Sequence, residues 1–301
     1  MTEDTYRCGF VAVVGRPNVG KSTLVNALVG HKVSIVTSRP QTTRQRVVGV
    51  ATGAQAQLLF VDTPGMHRRE GKALNRFMNR SARAAVADAD VVVLVTEAGR
   101  WKDEDEEALA RAQASGRPLF LVLNKVDRIK PRAALLPLLQ QAAERGDFAA
   151  VVPVSAERGE NLERLRGLLE EAIPAGPALF PAEQWSDRDE RFHVAEIVRE
   201  KLMRRLREEL PYGVAVEIER LAESEQGRRL EVRAIVWVER EAHKAIVIGK
   251  GGEMLKAVGQ AARLELKARF DRPVHLEIWV KVRERWTERE ADLKRLGYEG
   301  D

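Results

Sequence analysis

The chain has 301 residues, 44% of them apolar, which is enough for two compact cores. Its formal charge of +5 comes from 50 Lys+Arg against 45 Asp+Glu, a mixed surface rather than a basic tail, so charge alone assigns no polyanionic partner. Cys8 is the only cysteine, which excludes an internal disulfide and a cysteine-rich zinc cluster. No apolar run approaches the ~20 residues of a membrane span, and none of signal-peptide length opens the chain, so a soluble protein of a reducing cytoplasm is expected.

From the start to about Pro174, short β-branched runs alternate with longer segments of helical period, which predicts α/β architecture with a mostly parallel sheet flanked by helices. The strands are expected over 10–14, 47–52, 57–61, 91–95, 119–123 and 151–154. Directly after the first strand stands Gly15-Arg16-Pro17-Asn18-Val19-Gly20-Lys21-Ser22, followed by Thr23. Glycines at this spacing let backbone N–H groups turn inward around phosphates, and the following helix adds its positive end. Lys21 neutralises phosphate charge and Ser22 offers a hydroxyl to Mg²⁺. The bland alternative is a glycine turn with an incidental lysine.

The third strand runs into Asp62-Thr63-Pro64-Gly65, which puts a carboxylate at a strand's carboxyl end, where open α/β sheets bind ligands. Asp62 is expected to hold Mg²⁺ through water, and the Gly65 N–H to meet a γ-phosphate. An ordinary Pro-Gly turn is the competing reading. Asn124-Lys125-Val126-Asp127 ends another strand. Asp127 can accept hydrogen bonds from N1–H and the N2 amino group of guanine, whereas adenine would leave it facing an acceptor, so GTP is preferred over ATP. Asn124 can tie this loop to the phosphate loop, and Ser155-Ala156 is expected to offer a backbone N–H to the guanine oxygen.

Pro174, Pro177 and Pro181 mark a stretch of little periodicity, read as a linker crossed by few contacts. The domains expected are 1–174, a linker over 175–190, and 191–301 with a helical tail. In the second, an amphipathic helix over 192–210 leads to two strands, two helical segments and a last strand. That strand alternates Val274, Leu276, Ile278, Val280 and Val282 with His275, Glu277, Trp279 and Lys281. Between the two helical segments lies Gly249-Lys250-Gly251-Gly252, preceded by Lys244 and Ile248. The next helix buries Leu255, Val258, Ala262 and Leu266. A G-x-x-G loop removes side chains where a nucleic-acid backbone must approach, while helix N–H groups and Lys250 supply attraction. Lys256, Arg263 and Lys267 extend a basic strip, with a solvated helix face as the alternative. Trp237 and Trp279 share a sheet face and are expected to pack against the tail or the first domain rather than stack on bases. The five histidines show no ligand spacing, so no metal is assigned to them.

The four strand-end motifs together resemble the translation-factor-related P-loop GTPases over residues 8–173, and the helix-strand-strand-helix-helix-strand order around Gly249–Gly252 resembles a type II KH domain. The resemblance implies that a threonine after the first helix completes the Mg²⁺ shell. In Pro40-Gln41-Thr42-Thr43-Arg44 that residue is Thr43, with Thr42 next. Lys21, Thr43, Asp62 and Gly65 are then the catalytic candidates, and Ser22, Thr43 and Asp62 the metal ligands. Many GTPases carry a glutamine where Met66 stands, to orient the attacking water, so slow intrinsic hydrolysis is expected. In relatives with asparagine at position 18, that residue helps bind K⁺; a turn-forming asparagine is the equal alternative.

Across the whole chain the order of motifs, with 180–192 and the helix around Ala195–Lys201, resembles the Era family of bacterial GTPases. This implies a monomeric assembly factor of the small (30S) ribosomal subunit that binds 16S ribosomal RNA near its 3′ end, with peripheral membrane contact. Two other readings stay open: a GTPase whose C-terminal domain binds protein, and a nucleic-acid-binding module with a degenerate nucleotide site.

Overall fold

The computed structural model describes residues 6–65, 72–225 and 227–298. They form two compact units: one of residues 6–34, 43–65 and 78–187, the other of residues 35–42, 72–77 and 188–298 except 226.

The first unit is a six-stranded sheet. Its elements are β1 (Arg7–Val14), α1 (Lys21–Val29), β2 (Val47–Thr52), β3 (Ala56–Asp62), α2 (Ala73–Ala87), β4 (Val91–Glu97), α3 (Asp103–Gln113), β5 (Leu119–Asn124), α4 (Leu135–Ala143), β6 (Ala150–Pro153) and α5 (Leu162–Ala172), with the start of α2 belonging to the other unit. Strand order is β2-β3-β1-β4-β5-β6, parallel except for the antiparallel β2–β3 pair. Helices on both faces explain the unbroken apolar runs. Val11 and Val13 of β1 point into the core with Leu24, Leu165 and Leu169, while Ala12 and Val14 point into the opposite one with Leu109 and Leu121. The order reverses at β1, so β1, β3, β4, β5 and β6 bring their carboxyl ends to one rim.

The proline-bearing stretch before residue 188 carries more contacts than a low-contact linker. Cys8 N donates to Pro174 O (3.1 Å), Val50 N to Trp185 O (3.0 Å) and Asp187 N to Val48 O (3.1 Å). Buried Gln57 accepts from Leu179 N and Phe180 N and donates to Phe180 O. The cause is the edge: β2 pairs only with β3, so its outer N–H and C=O groups need partners, and residues 185–187 supply them.

The second unit holds α6 (Glu190–Arg205), β7 (Ala215–Glu223), β8 (Leu230–Val238), α7 (Glu241–Ile248), α8 (Glu253–Phe270), β9 (Val274–Val282) and α9 (Glu290–Arg295). The sheet order is β7-β8-β9, with β7–β8 antiparallel and β8–β9 parallel. Helix α6 begins where the Asp189 carboxylate accepts from Phe192 N at 2.8 Å. Val194, Ile197, Val198 and Leu202 of α6 and Val258, Ala262 and Leu266 of α8 cover one sheet face. The expectation for the tryptophans changes. Trp237 hydrogen-bonds Glu217 (2.8 Å) and lies under Arg283, whereas Trp279 is 58% exposed. Trp286 takes the tail contact, stacking on Tyr298 and donating to Gly213 O. Period-2 alternation cannot tell which outward-facing aromatic the tail will cover.

Residues 36–42 belong to this unit because α6 grips them. Glu200 accepts from Val36 N (3.1 Å), Arg204 donates to Val36 O, Arg39 donates to the Met203 and Leu206 carbonyls at the end of α6, and Arg199 donates to Thr42 O. Arg199, almost fully buried, is paired with Glu196 at 2.6 Å.

Burial, with Arg269 and Arg188 nearby, holds His193 down at about 3 from its ordinary 6.5. The unfolded chain therefore binds a proton that the folded imidazole refuses. Stability will fall as pH drops from 6.5 towards 3, by up to about 1.4 kcal/mol per pH unit. Denaturant midpoints between pH 7 and 5 will show this slope, and His193→Gln will flatten it.

Candidate functional site

The loop after β1 and the first turn of α1 carry Gly15–Thr23 at the rim. Gly20 has φ +102°, and a Cβ there would lie 2.3 Å from Asn124 Nδ2, so neither backbone nor space admits a side chain. Asn124 uses that space: its Nδ2 donates to Val19 O (2.9 Å), and its Oδ1 accepts from Lys125 N and Ala156 N. One side chain thus binds the loops after β1, β5 and β6 together. The Ala156 N–H, of the Ser155-Ala156 pair expected to face the guanine oxygen, donates to Asn124 in this structure.

Lys21 is buried, its Nζ donating to Gly15 O (2.9 Å) and Arg16 O (3.0 Å), and burial lowers its pKa to about 8. Three hard oxygens meet beside it. Ser22 Oγ lies 2.8 Å from Asp62 Oδ2 and 2.9 Å from Thr43 Oγ1, and Thr43 Oγ1 lies 3.2 Å from Asp62 Oδ2. Thr42 points elsewhere, to Thr37 Oγ1 and Arg39 O. Asp62 is fully buried, which pushes its carboxyl up, and its Oδ1 has no hydrogen-bond partner. An orphaned carboxylate oxygen beside two hydroxyls fits a small hard cation. Among the described residues no cluster of His, Cys, Asp and Glu could hold a metal alone, so such an ion would share its shell with ligand oxygens.

At the other end of the rim, Ser155 Oγ donates to Asp127 Oδ1 at 2.6 Å, the leading reason that the Asp127 carboxyl sits below its usual range. Lys125, at φ +66°, donates from Nζ to Asn18 O (2.7 Å), and Asn18 is itself left-handed at φ +65°, as a turn-forming asparagine would be. Val19 and Val126 are core residues, so any part they play runs through their backbone. Thr63 directs its hydroxyl to Val13 O (2.9 Å), and an added Cβ at Gly65 would touch Pro17 Cγ at 3.1 Å. Pro64 follows Thr63 on the same rim; Met66 lies outside the described residues. Two positions that no motif covers join this site: Glu97, ending β4, and fully buried Asp105 of α3, both paired with Arg16.

In the second unit, α7 ends at Ile248 and the chain turns through Gly249–Gly252 into α8. A Cβ at Gly249, φ +77°, would lie 2.7 Å from Met254 Cβ. At Gly251 and Gly252, both at positive φ, an added Cβ meets nothing within 4 Å. The turn thus presents bare backbone at the N-terminus of an 18-residue helix. Lys250, Lys256 and Arg263 are exposed, and half-buried Lys244 lies 3.8 Å from Glu241.

Residues 10–125 match the family model described as 50S ribosome-binding GTPase, and residues 209–287 match that of the KH domain. GTPase Era of Stenotrophomonas maltophilia is 53% identical over 300 residues, covering 99% of this chain and 100% of that protein, and GTPase Era of Xanthomonas oryzae is 54% identical over 99% of both. Two solved structures each match with TM-score 0.93 at 38% identity, covering 98% of this chain and 100% of theirs. One is Era in complex with MgGDPNP and nucleotides 1506–1542 of 16S ribosomal RNA; the other is a point variant of Aquifex aeolicus Era bound to GDP·AlF₄⁻. With its P-loop sheet, its KH fold and relatives that match it end to end, the chain belongs to the Era family of GTPases.

Proposed function

We propose that this GTPase is a nucleotide-driven switch that binds 16S ribosomal RNA near its 3′ end through the Gly249–Gly252 loop and assists assembly of the 30S subunit. The observation that carries the RNA reading is the bare turn at Gly251–Gly252, where a phosphodiester backbone can approach the N–H groups opening α8 beside Lys250. The Era complex with nucleotides 1506–1542 of 16S ribosomal RNA supports it.

In the first unit, Gly15–Ser22 would wrap the triphosphate and Asp127 would read the base. Ser22, Thr43 and Asp62 would hold Mg²⁺, which when bound neutralises charge developing on the phosphate oxygens. Lys21, which donates to two carbonyls in the structure, would be free to turn to the phosphates, and the orphaned Asp62 Oδ1 would have a partner in the bound ion or its water. The grip of α6 on residues 36–42, which lead straight into Thr43, supports the switching part of the proposal, since Thr42, whose carbonyl Arg199 holds, is the residue next to Thr43 in the chain. A slow intrinsic rate, K⁺ beside Asn18 and a monomeric state belong to the same reading. Any membrane contact would be peripheral, since no helix of the described residues is long and apolar enough to cross a bilayer.

The test is binding of an RNA oligonucleotide with the 3′-terminal sequence of 16S ribosomal RNA, in GDP and in a non-hydrolysable GTP analogue. We expect binding that differs between the two states and falls by about tenfold in Lys250→Glu, as loss of one phosphate contact with charge reversal implies. Equal affinity in both states removes the switch. No binding in either removes the RNA reading and favours a protein partner for the KH domain.

A further inference from the structure

Glu97 belongs to none of the nucleotide motifs, yet its side chain sits between two of them. Its Oε2 lies 3.4 Å from Arg16 Nη2 in the phosphate loop and 3.3 Å from Lys125 Nζ in the base-reading loop. Each cation is also held from its far side. Arg16 donates from Nε to Asp105 Oδ2 at 2.9 Å and from Nη2 to Arg100 O, while Lys125 donates to Asn18 O at 2.7 Å. The Glu97, Arg16 and Lys125 side chains are 16%, 8% and 20% exposed, so these ion pairs are poorly screened. Although burial pushes the Glu97 carboxyl up, Lys125 and Arg16 outweigh it and hold it below its usual range.

We propose that Glu97 is a positioning residue for guanine-nucleotide binding, its carboxylate fixing the phosphate loop to the base-reading loop by pairing at once with Arg16 and Lys125. The backbone at both ends of the link needs such restraint. Arg16 O is one of the two carbonyls on which Lys21 rests, so the anchor on the Arg16 side chain sets where the phosphate-binding lysine starts. Lys125 occupies left-handed backbone, a conformation that is strained for a non-glycine residue and persists only where its surroundings hold it. With Glu97 in place, the pocket's two ends are set at one spacing before any ligand arrives, and binding need not order them. Asp105, fully buried and also accepting from Lys102 N, is the fixed post to which Arg16 is tied.

This inference rests on the nucleotide site described above, and its test separates the two. Glu97→Gln keeps the shape but removes the charge that holds two cations. GTP and GDP are expected to bind about tenfold more weakly, in equal measure because both contain the base and the phosphates that the link spaces. KM for GTP should rise in step while kcat at saturation stays within about twofold. Arg16→Lys, which has one ammonium in place of a fork and cannot reach both Asp105 and Glu97, is a second variant and should give a smaller loss of affinity for both nucleotides. Circular dichroism of each variant without nucleotide verifies folding. Unchanged GDP and GTP affinity in folded Glu97→Gln, or a fall in kcat with affinity intact, overturns the positioning role. If the native chain itself bound no guanine nucleotide, the reading of the site would fail instead.

Discussion

Asp127→Asn will reduce GTP affinity by about a thousandfold or more and create a preference for xanthosine triphosphate. The carboxylate is built to accept: Ser155 Oγ holds Oδ1 at 2.6 Å, and that hydrogen bond is the main reason its pKa lies low, so Asp127 is ionised at neutral pH. Two acceptor oxygens suit the N1–H and N2 amino group of guanine. An asparagine amide turns one acceptor into a donor and sets it against the amino group, leaving buried polar groups unmatched on both sides. Xanthine carries a carbonyl at that position and restores the pairing. Competition against a fluorescent guanine nucleotide reads both changes. A variant that kept its choice of GTP over xanthosine triphosphate would show that Asp127 does not face the base.

Lys21→Met will lower GTP turnover by about 10³-fold and weaken triphosphate binding along with it. Methionine fills nearly the same volume, so α1, whose Leu24, Val25 and Leu28 form the packed face, should remain intact. What disappears is the buried ammonium that rests on the phosphate loop's own carbonyls. In the structure its ammonium donates to two backbone carbonyls, and burial, opposed by the nearby Asp62 carboxylate, lowers its pKa to about 8, which leaves it charged at neutral pH. Anionic phosphates are the natural complement of that charge. Single-turnover hydrolysis at saturating GTP and Mg²⁺ separates the chemical loss from the binding loss. Turnover within tenfold of the native rate would place the phosphates elsewhere.

Much of this site is legible in the sequence because its parts have fixed spacing and end strands. The Gly15–Ser22 loop, Asp62, Asn124 and Asp127 fall on the rim where apolar runs predict strand ends, and parallel pairing through β1 gathers them. Glu97 and Asp105 are not legible in this way. They lie outside every motif and meet Arg16 only because β4 is the neighbour of β1 and α3 packs beside it, a relation that local pattern does not encode. Local pattern also separates Thr43 from Thr42 only weakly. Adjacent residues in an irregular segment point in opposite directions, and backbone geometry alone sends Thr43 to Ser22 and Thr42 to Thr37. The proline-bearing stretch before residue 188 misled for a related reason: its lack of periodicity reflects pairing with an edge strand through backbone groups, which leaves no mark on side-chain hydrophobicity.

In the KH unit, the alternation of β9 and the buried positions of α8 follow from sequence period. The grip on residues 36–42 does not, because Arg39, Arg199 and Glu200 read as ordinary charged residues until α6 is in place.

Occupation by a guanine nucleotide of the rim where β1, β3, β5 and β6 end is tested most directly by equilibrium titration of the intact chain with GTP, GDP and ATP in the presence of Mg²⁺. GTP and GDP should each saturate a single site, from which ATP in about thousandfold excess fails to displace them. Displacement by ATP at concentrations comparable to GTP would contradict it.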